Sequence, residues 1–269
     1  MKQNYLSYSQ VSMYRRCGMS YYFRYILGKK IPPPWSFALG KSCHKGLQYN
    51  FQQKIETKKD LPLSQVLEAY DFAFEVERQQ EVDWQDKNPG EVKDTGAGLV
   101  GLHRKERCPQ IQPVAVEDKV EIPFTNVDYY FLSYLDLIDD KKVVVDFKTS
   151  QKTPNEAVAV ISDQLTAYSL AYRVKYGGEE QGVRLEYMVS TKQPKIALLE
   201  ATRTSEEIDH FLDTVARVAE GIQKEVFVPC SEDNWMCSAK TCGYFSLCKP
   251  RKTIISLAKL QEVKNGGQN

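Results

Sequence analysis

A chain of 269 residues can bury a sizeable core, and 42% hydrophobic with 26% charged residues is ordinary for a soluble globular protein, so one large α/β domain with an extension is expected. No apolar run approaches the roughly 18 residues of a membrane span, and Met1-Lys2-Gln3-Asn4-Tyr5 lacks the apolar core of a signal peptide. The net charge of +1 conceals an asymmetry: residues 1–50 carry eight Lys/Arg and no acid, residues 240–269 carry six against one, and the middle carries 34 acids against 22 bases. Basic ends around an acidic middle suit a protein that grips phosphates with its termini; fifty residues without one acid fit a generic solvated surface poorly. Seven cysteines, an odd number, point to reduced thiols and metal ligation rather than disulfides.

Ser7-Tyr8-Ser9 offers an N-cap to a helix from Gln10 to about Leu27. Tyr14, Arg15, Arg16, Tyr21, Tyr22, Arg24 and Tyr25 crowd it, and Cys17 lies within it. Aromatics among guanidinium groups can stack the bases and hold the phosphates of a single strand; the alternative is a helix packing its tyrosines inward. Pro32-Pro33-Pro34 ends this unit, and a second helix starting near Phe37 contains His44. Gly40-Lys41-Ser42 is not a P-loop, because Trp35 stands where the first glycine is required. Leu63 to about Val82 and Asp94 to Arg107 read as helices, making 52–112 a helical insertion. Val114–Ile122 is the first strand and carries Glu117.

Tyr129–Ile138 and Val143–Lys148 then form a hairpin through Asp139-Asp140-Lys141-Lys142. Alternation puts Asp146 and Lys148 on one face, and a tight hairpin brings Asp136 beside them. A carboxylate inside Val-Val-Val-Asp-Phe is costly to bury without a cation, and two carboxylates converging there repel unless something positive sits between them. An Asp–Lys salt bridge at a strand end fits the same pattern. Thr153-Pro154 is read as the cap and first position of a helix running to Gly177-Gly178. Along it Gln164, Tyr168 and Tyr172 recur every four residues as one polar-aromatic stripe. Strands at Val183–Ser190 and Lys195–Thr202 turn through Thr191-Lys192-Gln193-Pro194. Thr204-x-x-Glu207 is a capping box that starts a helix to about Gln223. Val228-Pro229-Cys230 leads into Cys237-x4-Cys242-x5-Cys248, a basic helix from Thr253 to Lys264, and a polar tail, Asn265–Asn269, expected to be disordered. His103 and His210 fit no motif.

Asp136, then Asp146-Phe147-Lys148-Thr149, then Gln164-Leu165-x-x-Tyr168, resembles the PD-(D/E)xK nuclease superfamily in its RecB-like exonuclease branch, which includes CRISPR-associated RecB-like and recombination-complex nucleases. Gly40-x-x-x-His44 is similar to the family's histidine motif, and Ser7 through Cys17 to its N-terminal pattern of a Ser-x-Ser cap followed by a lone cysteine. Ser133 departs from the family, which commonly has a glycine three residues before the metal-binding Asp. The resemblance implies a restriction-endonuclease-like α/β core, a central mixed sheet flanked by helices, with a helical insertion and a Cys-rich C-terminal extension. Within a single nuclease domain, residues 1–51 would be N-terminal helices, 113–223 the catalytic core, and 224–264 the cysteine cluster and basic helix. It implies a metal-dependent DNA exonuclease of DNA recombination, repair or replication, cytoplasmic and bacterial or phage-encoded. Mg²⁺ or Mn²⁺ would be held by His44, Asp136, Asp146 and the Phe147 carbonyl. Lys148 would orient the attacking water, Gln164 and Tyr168 would position the lysine, the water or a phosphate, and Arg15, Arg16 and Arg24 would contact DNA. Glu117 resembles an acid of the family's first strand, though an exposed strand-end charge reads the same way. No ATPase motif is present, so a helicase or recombination partner would be a separate chain.

The cysteines admit two readings. Spacing alone favours a zinc module of Cys230, Cys237, Cys242 and Cys248 in a non-catalytic nucleic-acid-binding protein, which leaves the acids and Lys148 unexplained. The resemblance implies a [4Fe–4S] cluster on Cys17, Cys237, Cys242 and Cys248, stapling the two ends of the chain. The family trio often has two residues between its first cysteines; here there are four.

Overall fold

The computed structural model describes residues 4–124 and 127–248. The expected helix at Thr253–Lys264 and the tail Asn265–Asn269 lie outside the described residues. In chain order the elements are β1 (Tyr5–Ser7), α1 (Tyr8–Arg16), α2 (Gly18–Tyr21), a π-helical turn (Tyr22–Ile26), α3 (Trp35–Thr57), α4 (Leu63–Arg78), α5 (Pro89–Glu106), a 3₁₀ turn (Cys108–Gln110), β2 (Pro113–Pro123), β3 (Tyr130–Asp139), β4 (Val143–Ser150), α6 (Ala157–Val160), α7 (Asp163–Tyr176), β5 (Gly182–Val189), β6 (Lys195–Ala201), α8 (Ser205–Gln223) and α9 (Phe245–Cys248). They fall into two compact units, one of Met1–Ser12 with Pro32–Glu225, the other of Met13–Ile31 with the chain from Val226.

The first unit is built on a mixed six-stranded sheet of order β1-β3-β4-β5-β6, with β2 also paired to β3. β1 runs parallel to β3, β2 and β4 run antiparallel to it, and β5 lies parallel to β4 and antiparallel to β6. Parallel neighbours need a crossover, which α6 and α7 provide between β4 and β5. Both faces of β4 are therefore covered, and its Val-Val-Val run, with no solvent-facing alternation, follows from that. On one face α3, α4 and α5 contribute Leu47, Phe51, Tyr70, Phe74 and Leu99 to a core that includes Leu137, Val145 and Phe147. Phe51 stacks on Phe147 with centroids 5.8 Å apart, and each such ring contributes about 1.5–3 kcal/mol of burial. The other face carries Asp146 and Lys148 beneath α7. The capping box of Thr204 and Glu207 forms as expected and starts α8, whose Phe211 meets Phe131 at 5.7 Å.

Several element bounds differ from the sequence reading. β1 was not foreseen. The helix expected to begin at Thr153-Pro154 begins at Asp163: the Asn155 side chain accepts from the Ala157 amide at the start of the short α6, and Ser162, in extended conformation, caps α7. Arg203 fixes the break by donating to the carbonyls of Ala159 and Ser162 and to the Thr166 hydroxyl. α5 begins at Pro89 rather than Asp94, with the Asn88 side chain accepting from Gly90 N and proline at its first position. α4 ends at Arg78, before Val82.

In the second unit the N-terminal helix is not continuous to Leu27. Cys17 is extended (φ −165°, ψ 106°), and Gly18 N turns out of the helix to the Val228 carbonyl at 2.8 Å. A Cβ on Gly18 would lie 2.8 Å from the Val228 backbone, so only glycine permits this approach. Tyr14 donates to the Val226 carbonyl, Tyr21 stacks on Phe227, and Tyr244 donates to the Lys29 carbonyl at 3.0 Å. Early and late segments are thus hydrogen-bonded and packed together. Tyr14 and Tyr21 pack inward, so the base-stacking reading does not hold for those two; Arg15, Arg16 and Arg24 are exposed.

Candidate active site

β3 and β4 pair only at Leu137 with Val145 and at Ile138 with Val144. Continued by one residue, that register sets Asp136 opposite Asp146, but there the ladder stops and the strands part. The Phe147 amide, deprived of a strand partner, donates instead to Asp136 Oδ2 at 3.1 Å. The two acids stand where the sheet opens, and Lys148, two residues along β4, shares their face. The turn that sets this register is closed by Asp139, whose Oδ1 accepts from the amides of Lys141 and Val143 at 3.0 and 2.8 Å.

α7 supplies the polar cover. Lys148 Nζ donates to Asp146 Oδ1 and to Gln164 Oε1, each at 2.9 Å. Gln164 Nε2 donates to Asp146 Oδ1 at 3.0 Å, and the Tyr168 hydroxyl donates to Asp136 Oδ1 at 2.8 Å. The four-residue step from Gln164 to Tyr168 is what brings both onto the acids; Tyr172, the next step, stacks on Tyr176 instead. From α3, His44 sets Nε2 2.5 Å from the Phe147 carbonyl and Nδ1 3.3 Å from Asp136 Oδ2. All seven residues expected at the site, His44, Asp136, Asp146, Phe147, Lys148, Gln164 and Tyr168, meet there.

Burial pushes the Asp146 carboxyl up to about 6; Lys148 pulls it back and Asp136 adds to the rise. Burial alone would lower Lys148, but Asp146 and Asp136 outweigh it and hold the ammonium protonated. Asp146 Oδ2 is shielded from solvent and accepts no aligned hydrogen bond, although Lys148 Nζ lies 2.7 Å away. Glu117 takes a left-handed conformation (φ 50°), rare for a residue with a side chain. Burial and Asp136 raise its carboxyl against the pull of Lys45 and His44, so it belongs to the electrostatic surroundings of the site and is not an isolated strand-end charge.

A carbonyl, two carboxylates and an imidazole suit a hard divalent cation, and the unsatisfied Asp146 oxygen is a place for one. Among the described residues no three His, Cys, Asp or Glu side chains are drawn in to ligand distance as they stand; His44 faces Phe147 and Asp136, and Lys148 and Gln164 occupy Asp146. On the sheet's other face lies a network that periodicity did not reveal. Buried Glu186 accepts from His103 Nε2 and Arg107 Nη2, both at 2.9 Å, and Arg184 Nε lies 2.8 Å away without hydrogen-bond alignment. His103 packs edge-on against the Phe147 ring at 5.3 Å, so this network backs the residue whose carbonyl meets His44. His210 is exposed.

In the second unit, Cys17, Cys230, Cys237, Cys242 and Cys248 all line one cavity of about 290 Å³. The Cys230 amide donates to Cys17 Sγ at 3.4 Å. Burial would raise Cys17, but hydrogen bonds from Ser20 and Cys230 win and hold it low, whereas burial together with Cys17 and Cys237 pushes Cys230 up to about 12. Cys43 and Cys108 are core residues of the first unit.

No curated protein sequence matches the chain. Among solved structures, a protein of Eubacterium rectale provisionally named an exonuclease aligns over 96% of this chain and 92% of its own, at 14% identity and a TM-score of 0.59. The protein SSO0001 aligns over 84% of this chain and 89% of its own, at 18% identity and a TM-score of 0.37. The first of these carries the fold. A family model for the PD-(D/E)XK nuclease superfamily matches residues 5–249, a span that holds the parted hairpin, its two acids and lysine, and the cysteine cavity. The chain belongs to the PD-(D/E)XK nuclease superfamily.

Proposed function

We propose that this nuclease is a metal-dependent DNA exonuclease of the RecB-like branch, acting in recombination, repair or replication. The observation that carries the reading is the hydrogen-bonded set Asp136, Asp146, Lys148, Gln164 and Tyr168 at the point where the sheet opens, faced by His44. Mg²⁺ or Mn²⁺ would be held by His44, Asp136, Asp146 and the Phe147 carbonyl, and when bound supplies charge that neutralises the scissile phosphate and acidifies water. Lys148, fixed between Asp146 and Gln164, orients the attacking water and offsets negative charge in the pentavalent transition state. Gln164 and Tyr168 keep the two carboxylates aimed, each by a donated hydrogen bond. Arg15, Arg16 and Arg24 grip backbone phosphates.

For the cysteine cavity, Cys17, Cys237, Cys242 and Cys248 would hold a [4Fe–4S] cluster, whose chemistry there is structural. Support comes from Cys17 sharing the cavity with the late cysteines, which a zinc site on Cys230, Cys237, Cys242 and Cys248 does not require. Thiolate ligation suits the reducing cytoplasm, and no described helix is long and apolar enough to cross a membrane. A helicase or recombination protein would act as a separate chain. End-labelled single- and double-stranded DNA, incubated with Mg²⁺ or Mn²⁺ and resolved over time, tests the activity. Stepwise shortening from an end is expected; DNA left intact with both metals overturns the reading.

A further inference from the structure

Between α3 and α4 runs an open groove of about 830 Å³, apart from the acids and lysine already described. Its α3 wall is one stripe, Lys41, Lys45, Gln48, Tyr49 and Gln52, at three- and four-residue steps. Lys45, in that lining, follows His44 directly in α3, and His44 faces the Phe147 carbonyl and Asp136, so this end of the groove adjoins the site. From α4, Phe72 stands 74% exposed, and Tyr49 opposite is 50% exposed. Two large rings on facing walls stay in water, and none of the described residues covers them.

We infer that this groove binds the single-stranded end of a nucleic acid next to the site, its unpaired bases stacked on Tyr49 and Phe72. The inference rests on the nuclease reading of that site. Two features select this occupant. Exposed aromatics set among glutamines (Gln48, Gln52, Gln65) offer stacking faces and amide donors and acceptors for bases of any sequence, and the aliphatic part of the lining, Ala69, Ala73 and Val76, is confined to α4. Charge fits as well. Lys41 neutralises Glu77 at 2.6 Å, and Lys45, held towards Gln48 at 2.6 Å, places a cation at the end nearest His44, where a phosphate approaches. The remaining acid of the lining, Glu68, is exposed.

The test uses the full chain in EDTA, so that binding is read without cleavage. Fluorescence anisotropy with a 5′-labelled oligothymidylate and with a blunt hairpin duplex compares wild type, Tyr49→Ala/Phe72→Ala and the ring-retaining Tyr49→Phe/Phe72→Tyr. The alanine pair should weaken the single strand by about tenfold or more, leave duplex binding unchanged, and be rescued by the ring-retaining pair, with melting temperatures equal. Oligothymidylate carrying 5-iodouracil should photocrosslink to Tyr49 or Phe72. Wild-type affinity in the alanine pair, or crosslinks confined to other residues, overturns the groove. So does a wild-type dimer in light scattering that the alanine pair dissociates without loss of oligothymidylate binding, which would make the face a contact between copies. Asp146→Ala, assayed in parallel for cleavage, separates the two readings: cleavage by that variant sinks the site while groove binding stands.

Discussion

Replacing Glu186 by glutamine should remove a large pH-dependent part of the fold's stability. Burial alone would raise this carboxyl, but hydrogen bonds from His103 and Arg107, with the charge of Arg184, overcome it and hold Glu186 at about 2 against its usual 4.5. At about 1.4 kcal/mol per pKa unit, that difference is worth about 3 kcal/mol. A carboxyl depressed in the folded state stabilises fully above its unfolded pKa, and the contribution is lost as pH falls from about 4.5 towards about 2. Glutamine cannot titrate, and it also leaves Arg184 and Arg107 short of a buried counter-charge, which adds to the loss. Urea denaturation of wild type and Glu186→Gln should therefore differ by about 3 kcal/mol or more at pH 7, with the gap narrowing below pH ~4.5. A gap that stays constant from pH 7 to pH 3, or none at pH 7, would mean that the network does not hold the carboxyl down. Because His103 backs the Phe147 ring, the variant should also cleave more slowly even where it remains folded.

Asp146→Ala and Lys148→Ala should each lower DNA hydrolysis by orders of magnitude while DNA binding persists, since each removes several kcal/mol of transition-state stabilisation; near-normal cleavage by both purified variants defeats the proposed site. Arg15→Ala/Arg16→Ala/Arg24→Ala should weaken DNA binding and flatten the slope of log affinity against log salt. An unchanged slope would make those arginines bystanders. Gly96→Ala puts a Cβ 2.1 Å from the Tyr70 hydroxyl and 2.7 Å from Leu39, so a loss of about 1–3 kcal/mol is expected in urea melts. Anaerobically purified protein should be brown, contain iron and be destabilised by Cys17→Ala more than by Cys230→Ala. Colourless protein with stoichiometric zinc and the opposite ranking assigns the cavity to zinc.

The site was legible where chemistry and periodicity coincide. Asp136, Asp146 and Lys148 follow from period-two alternation and hairpin register, and Gln164 with Tyr168 from a four-residue step, because those relations are local. Long-range relations were not. Nothing near His103 indicates Glu186, 83 residues away, and a three-residue strand such as β1 is too short to show a period. The break at Cys17 has no proline to mark it; it exists because Gly18 finds a partner in Val228, far along the chain. At Thr153-Pro154 the local signal was genuine helix-start chemistry, but Arg203, arriving from beyond β6, holds the chain open until Ser162. Tyr14 and Tyr21 were ambiguous for the same reason, since Phe227 decides their direction.

Adjacent strands hold two buried acids in opposite electrostatic states, and the contrast sets apart the one proposed to hold a cation. Glu186 on β5 is held at about 2 by His103, Arg107 and Arg184; Asp146 on β4 has Lys148 beside it, but burial and Asp136 raise it from the usual 3.8 to about 6. A carboxyl raised in the folded state contributes stability below its unfolded pKa and loses it as pH climbs through the folded one. Without divalent cation, ionisation of Asp146 thus weakens the fold as pH climbs through about 6. Asp146→Asn removes it: in EDTA the variant should be more stable than wild type at pH 8 and indistinguishable from it near pH 4. Mn²⁺ should raise the melting temperature of wild type and do so more at pH 8 than at pH 6, with a smaller effect on the Asn variant. If Asp146→Asn is no more stable than wild type at pH 8 in EDTA, the carboxylate is already satisfied within the fold, and the argument that it waits for a cation fails.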